Sequence, residues 1–215
     1  MKRIAAASAL LATLVLAGCM SISRVDGEQV VQGKLAVQVP AAWNRMRDPW
    51  DVQPYETWTQ EGLPLDHLRI WGGLAPGQPL VSKPVEYLPR EDQKAQRVPT
   101  FRSNMPPEKL VSLFEALYAE KGTVQVTRIE PALFAGEKGV HFEFTLARRE
   151  DDVVLNGTGW LAVRGGELYA ATFVAPRMTF YPRLLPMAEA VVKTARIRGG
   201  AGAATAITRA GSPPS

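Results

Sequence analysis

Few residues in this chain are able to do chemistry. It holds two histidines, His67 and His141, and one cysteine, Cys19. His141 and Glu143 lie two apart in an alternating segment, so they share one face of a strand. Such a pair can act as general acid and base, or give two ligands to a metal. Either role needs a third group, and no companion motif supplies one. The plainer reading is a polar cross-strand pair on a partly exposed face. His67, four residues before Trp71, is read the same way. Serine chemistry finds no G-x-S-x-G and no S-x-x-K. Gly165-Gly166 is a turn and not a phosphate loop, because no Lys-Ser/Thr follows it. The acidic run Glu150, Asp151, Asp152 adjoins Arg148 and Arg149 and reads as a solvated tip. Asn156-Gly157-Thr158 matches a glycosylation acceptor as a string, but it lies inside a strand pattern. These residues call for no metal and no cofactor.

Cys19 is different. A single cysteine cannot form an internal disulfide or a multi-cysteine metal site. It closes an amino-terminal segment with the anatomy of an export signal. Lys2 and Arg3 are positive, and Ile4 to Leu16 is apolar except for Ser8 and Thr13. That run is too short for a comfortable membrane span. Leu16-Ala17-Gly18-Cys19 then resembles the lipobox of bacterial lipoproteins at all four positions. Small residues before the cleaved bond suit a narrow peptidase site, and the thiol is the strongest nucleophile available for a thioether. The resemblance implies cleavage between Gly18 and Cys19, a diacylglyceryl group on the Cys19 sulfur and usually acylation of the new amino terminus. The partner so implied is a membrane. Each buried CH₂ contributes about 0.8 kcal/mol, and more than one chain makes a stable anchor. Met20 and Ser21 follow in place of the Asp that tends to retain such proteins in the inner membrane of enteric-type bacteria. The resemblance therefore favours the outer membrane, facing the periplasm, with the inner membrane as the alternative.

The formal net charge of the whole chain is +4, and Lys2 and Arg3 leave with the signal. A nearly neutral remainder has no broad electrostatic footprint for nucleic acid. Its length suits one domain of common size.

The elements that must position any site follow from periodicity. Residues 19–27 read as a lipidated polar tether, 28–198 as the folded domain and 199–215 as a disordered tail of Gly, Ala, Ser, Thr and Pro. Residues 34–39 alternate as a strand that Pro40 should stop, with Trp43 in a turn. Glu56 to Gln60 and His67 to Trp71 are two more strands, the latter ended by Gly72-Gly73. Residues 72–107 hold seven prolines and read as a long loop, of a kind that is often functional. A helix is predicted from Pro106 to Lys121 with the stripe Leu110, Leu113, Phe114 and Leu117. Four strands then form an antiparallel meander: 123–130, 140–147, 153–164 and 167–175. A second helix should run from Phe180 to Ala195, with Leu184, Ala188, Val191 and Ala195 on one face and Pro186 inside it. Trp160 and Phe173 oppose Leu161 and Val174 in pleat direction. Both sheet faces therefore need cover, one by each helix. The fold class is α+β, a central antiparallel sheet flanked by helices as an α-β-α sandwich.

The segment Leu35 to Trp43, the helix start Met105-Pro-Pro-Glu-Lys-Leu110 and the closing strand Leu168 to Ala175 before an amphipathic helix resemble the PsbP-like superfamily. That group includes DcrB-type lipoproteins. The resemblance covers about residues 28–198. It implies the same sandwich and mostly accessory or assembly roles, and it transfers no catalytic residue.

The long loop mixes aromatics with guanidinium groups, a composition favoured at interfaces. Tyr87, Arg97, Phe101 and Arg102, with Arg90, Trp43 and Trp58, are the expected surface for an envelope partner. The competing reading is that these aromatics pin the loop to the domain. The function expected is a non-enzymatic, lipid-anchored binding or assembly module. The alternatives are a hydrolase or metal-dependent enzyme built on His141 and Glu143, and a carrier of a small apolar ligand.

Overall fold

The computed structural model describes residues 21–47, 52–82 and 99–199. The expected signal peptide, Cys19, Tyr87, Arg90, Arg97 and the expected tail beyond residue 199 lie outside these. Among the described residues nine strands and two helices follow in the order β1 (Ser21–Val31), β2 (Leu35–Arg47), β3 (Glu56–Thr59), β4 (His67–Leu74), α1 (Pro107–Ala119), β5 (Gly122–Phe134), β6 (Glu137–Arg148), β7 (Val154–Arg164), β8 (Glu167–Pro176), α2 (Phe180–Val192) and β9 (Arg196–Ile197). The strands form one antiparallel sheet in the order β1-β2-β3-β4-β8-β7-β6-β5, with β9 on β2. The expected α+β class and the β5–β8 meander are both present.

Pleat direction divides the core in two. Leu110, Leu113, Phe114 and Leu117 of α1 pack with Trp71, Val140, Phe142, Phe144, Leu161 and Val174 on one sheet face. Leu184, Ala188, Val191 and Val192 of α2 pack with Leu68, Ile70, Ala171 and Phe173 on the other. Trp160 and Phe173 thus face α2, while Leu161 and Val174 face α1. The α1 core has an unusual fit at β7. A Cβ on Gly157 would come within 2.2 Å of the Phe144 ring, and one on Gly159 within 2.3 Å of the Phe142 ring. Two aromatic rings occupy the space that side chains on β7 would fill. Gly165 and Gly166, at φ +60° and +82°, close β7 onto β8 in the left-handed turn that a two-residue hairpin requires.

Three expectations are corrected. Residues 21–27, read as tether, form the first half of β1, where Val25 pairs with Trp43 and is buried. Pro40 does not stop its strand, and β2 runs on through Trp43 to Arg47. The reason lies in the ladder. On the β1 side the register shifts between Val25 and Gly27, opposite the stretch between Val39 and Trp43. On the other side β9 pairs residues 35 and 36, and β3 pairs residues 44 to 46. Pro40 therefore falls where no partner needs its missing N–H. Third, Gly72-Gly73 does not end β4, which continues to Leu74 through a bulge. There the tip of the β1–β2 hairpin closes on the sheet: Gly72 N donates to Gln32 Oε1 at 3.0 Å, and Lys34 pairs with Glu167. A Cβ on Gly72 would meet the Val31 carbonyl oxygen at 2.4 Å, so only glycine lets the hairpin come so close.

Candidate functional site

The two histidines sit on opposite faces in opposite surroundings. His141, on β6, faces α2. Register places Glu130 of β5 on one side of it and Trp160 of β7 on the other. Its Nδ1 lies 2.8 Å from Glu130 Oε1 and its Nε2 2.8 Å from Thr158 Oγ1. Because a carboxylate only accepts, Nδ1 carries a proton. The imidazole stacks on Trp160 at 5.3 Å. The Tyr181 phenol of α2 lies close to Thr158. The hydrogen bond from His141, with Arg128 3.0 Å away, holds the Glu130 carboxyl below the usual carboxylate range, although desolvation pulls the other way. Burial, with Glu143 and Glu189 nearby, pushes Tyr181 up to about 12.

This carboxylate–imidazole–hydroxyl row has the element order of a hydrolytic triad. It differs from one in access, because Thr158 is 2% exposed and its hydroxyl also reaches the Phe142 carbonyl oxygen at 3.4 Å. Nδ1–H is committed to Glu130 and the Nε2 lone pair to the Thr158 hydroxyl, which leaves no lone pair directed at a metal or a water. Glu143, the residue expected to work with His141, forms an ion pair with Arg128 at 3.6 Å instead. The pair read from spacing is thus replaced by a pair set by register. Among the described residues no group of three or more His, Cys, Asp or Glu is placed to hold a metal ion.

His67 begins β4 and faces α1. Its ring stacks on Tyr118 at 5.9 Å, with Nε2 3.5 Å from the phenol oxygen. Tyr118 Oη lies 2.7 Å from Thr172 Oγ1 of β8. Two residues along β4, the Arg69 guanidinium lies over the Tyr55 ring at 4.9 Å and the Tyr118 ring at 5.6 Å. Burial holds the His67 imidazole well below its ordinary value, and the Arg69 charge adds to this. Burial raises the Tyr118 phenol, against the pull of Arg69 and Thr172. The His67 reading was as plain as that for His141. The signal that separates them is the cation at i+2, which a strand places on the same face.

The expected partner surface is partly dismantled. Phe101 is 0% exposed and belongs to the α1 core. Gly77 N donates to its carbonyl at 2.8 Å, and its own N–H donates to Gln78 O at 2.9 Å. Trp43 and Trp58 are buried in the α2 core. For these three aromatics, pinning of the chain is the structural role. Arg102 is exposed.

Sequence reasoning passed over Asp66, a wholly buried carboxylate at the β3–β4 turn. Its Oδ1 accepts from Thr59 Oγ1 at 2.8 Å and Glu61 N at 2.7 Å, and its Oδ2 from Gln60 N at 2.8 Å. A polar residue just before an apolar strand was the available clue. An open cleft of about 320 Å³ lies at the β8–α2 corner, lined by Val153, Val154, Pro176, Met178 and Phe180 among others. It is a surface feature and not the space between sheet and helix that an apolar-ligand carrier was expected to use. Among the described residues no helix is long and apolar enough to cross a membrane.

No family model and no curated protein matches the chain. Among solved structures it is similar to cyanobacterial PsbP (CyanoP) from Synechocystis sp. PCC 6803. The TM-score is 0.49 and the identity 8%, over 85% of this chain and 96% of that one. It is also similar to LpqN, described as involved in cell envelope biogenesis of Mycobacterium tuberculosis. There the TM-score is 0.33 and the identity 9%, over 84% and 85% of the two chains. At this level neither likeness transfers a residue or a role.

Proposed function

We propose that this chain is a lipid-anchored envelope protein whose sandwich domain acts as a non-enzymatic binding or assembly module at a membrane surface. One observation carries the reading: the lipobox-like Leu16-Ala17-Gly18-Cys19 ends one residue before β1 begins at Ser21. Two residues of chain reach at most about 7 Å. An acylated Cys19 would hold the open end of the β1–β2 hairpin, where Ser21 pairs with Arg47, against the headgroups. Ile22, 65% exposed, and the exposed Arg24 and Arg47 are the side chains at that end. An anchor this short suits a module that works at the membrane better than one that ranges far from it. Residence in the outer membrane, facing the periplasm, belongs to the same proposal, as does an envelope protein as partner. The engagement of both His141 nitrogens and the burial of Thr158 support the non-enzymatic part.

The test is fatty-acid labelling of the full chain in a bacterial host, followed by fractionation and cross-linking. The parent should be labelled, processed and found with membranes, cross-linked to a defined envelope protein. Cys19→Ala should be unlabelled and remain as precursor. Normal processing and labelling of the variant would remove the anchor from the proposal. Turnover of an ester or amide substrate that is lost in His141→Gln would remove the non-enzymatic reading.

A further inference from the structure

Among the partly buried guanidinium groups of the described sheet, Arg69 stands apart in having no carboxylate partner. Arg45 pairs with Glu56 at 2.8 Å, Arg128 with Glu130 at 3.0 Å, Arg148 with Asp151 at 2.5 Å and Arg164 with Glu137 at 3.2 Å. Arg69 forms no ion pair with a carboxylate among the described residues. Its Nε is buried and has no hydrogen-bond partner. A half-buried cation without a counter-charge is costly, and two aromatic faces offset only part of that cost. The fold nevertheless holds the group in place. Thr57 of β3 and Thr172 of β8 flank Arg69 in register. Tyr55 and Tyr118 lie against the guanidinium at 4.9 and 5.6 Å.

We infer that Arg69 is the centre of an anion-binding site, which takes a carboxylate or phosphate group of a ligand or partner on the edge of its guanidinium. The argument is geometric. The Arg69 Cζ lies over both phenol rings and the Tyr118 phenol engages part of its N–H fork, which leaves N–H groups with no carboxylate partner for a ligand, and a guanidinium edge is where carboxylates and phosphates bind bidentately. The surroundings are selective. The Tyr118 and Thr172 hydroxyls and the His67 imidazole cluster beside the cation. The imidazole adds a hydrogen-bonding group that needs no negative charge of its own. This site lies on the α1 face, opposite the Glu130–His141–Thr158 row, and does not depend on the lipid anchor.

The sequence supplies its own probes, one histidine on each face. The full chain, labelled in its two imidazoles and held in a nonionic detergent, is followed by NMR at constant ionic strength. Inorganic phosphate and acetate are titrated separately. The expected result is a saturable shift of the His67 resonances with His141 unmoved. The anion with the lower half-saturation identifies phosphate or carboxylate as the group recognised. Arg69→Lys keeps the charge and loses the fork, and should weaken binding about tenfold. Arg69→Gln should abolish the shift. Should Arg69→Gln fail to fold, the parent and Arg69→Lys decide between them. The site is refuted if neither anion moves His67 at tens of millimolar, if both histidines move together, or if Arg69→Lys titrates like the parent.

Discussion

Replacing His67 by Gln should flatten the acid limb of the stability curve. Burial and the neighbouring Arg69 hold the native imidazole well below the ordinary value of 6.5, while in the unfolded chain it returns to that value. The sign follows from proton binding. Above pH 6.5 both states are neutral and the residue makes stability pH-independent. Below it the unfolded state takes up a proton that the native state refuses, so stability is lost as pH falls. Each unit of pH over which the native imidazole stays neutral costs about 1.4 kcal/mol. Between pH 7.5 and 5 that amounts to an extra loss in the parent of up to about 2 kcal/mol, the limit set by the unfolded value when the native imidazole stays neutral throughout. In urea this is a difference of about 1 M in midpoint, and in melting about 4–8 °C for a chain of this size. The assay is urea unfolding of the full chain at both pH values, in nonionic detergent, for parent and His67→Gln. Carboxylates that titrate in both proteins cancel in the comparison. The variant should lose less stability than the parent by up to about 2 kcal/mol. Equal losses would show that His67 charges freely in the folded state, which would refute the burial argument.

Other outcomes follow from the packing. Asp66→Ala strips three hydrogen bonds from the β3–β4 turn and leaves the buried Thr59 hydroxyl without its acceptor. It should cost about 3 kcal/mol, and Asp66→Asn, which keeps the shape and one acceptor, about half as much, both read from urea midpoints. Gly157→Ala puts a methyl group into the Phe144 ring and should cost about 1–3 kcal/mol, with near-ultraviolet circular dichroism reporting the displaced ring. Gly165→Ala meets no neighbour within 4 Å and pays only for its backbone angle, so its melting point should fall by less than that of Gly157→Ala. Thr158→Val removes a buried hydroxyl that reaches His141 and the Phe142 carbonyl and should cost about 1–2 kcal/mol by the same urea measurement.

Much of the fold was legible because its signals are local. Alternation at 140–147 and 153–164, a glycine pair between strands, and apolar stripes at three and four residues each specify an element without outside help. What escaped was non-local. Residues 21–27 look polar because β1 is an edge strand whose buried residues are sparse; only its pairing with β2 makes a strand of them. Pro40 looked like a stop because sequence does not reveal a gap in the ladder. β9 has two residues, far too few for a periodicity to register. Phe101 looked like an interface residue because composition marks aromatics without saying which way they turn.

The same distinction governs the chemistry. Spacing along a strand says which side chains share a face, and it correctly put His141 with Glu143; the same spacing puts His67 with Arg69. It does not say which neighbour across the ladder comes closest. For His141 that neighbour is Glu130, an acceptor, and the imidazole is bonded on both sides in a closed row. For His67 the cross-strand partner is Val174, and the polar neighbour that matters is the i+2 cation. One register shift would exchange these surroundings. A carboxylate opposite Arg69 would neutralise it and end any attraction for an external anion. Threonines stand there instead, on both flanking strands. Thr57 and Thr172 are small, uncharged and able to donate, so they leave the positive charge of Arg69 unmatched within the described sheet. That choice of two residues, on strands remote in sequence, separates a structural arginine from one poised to bind.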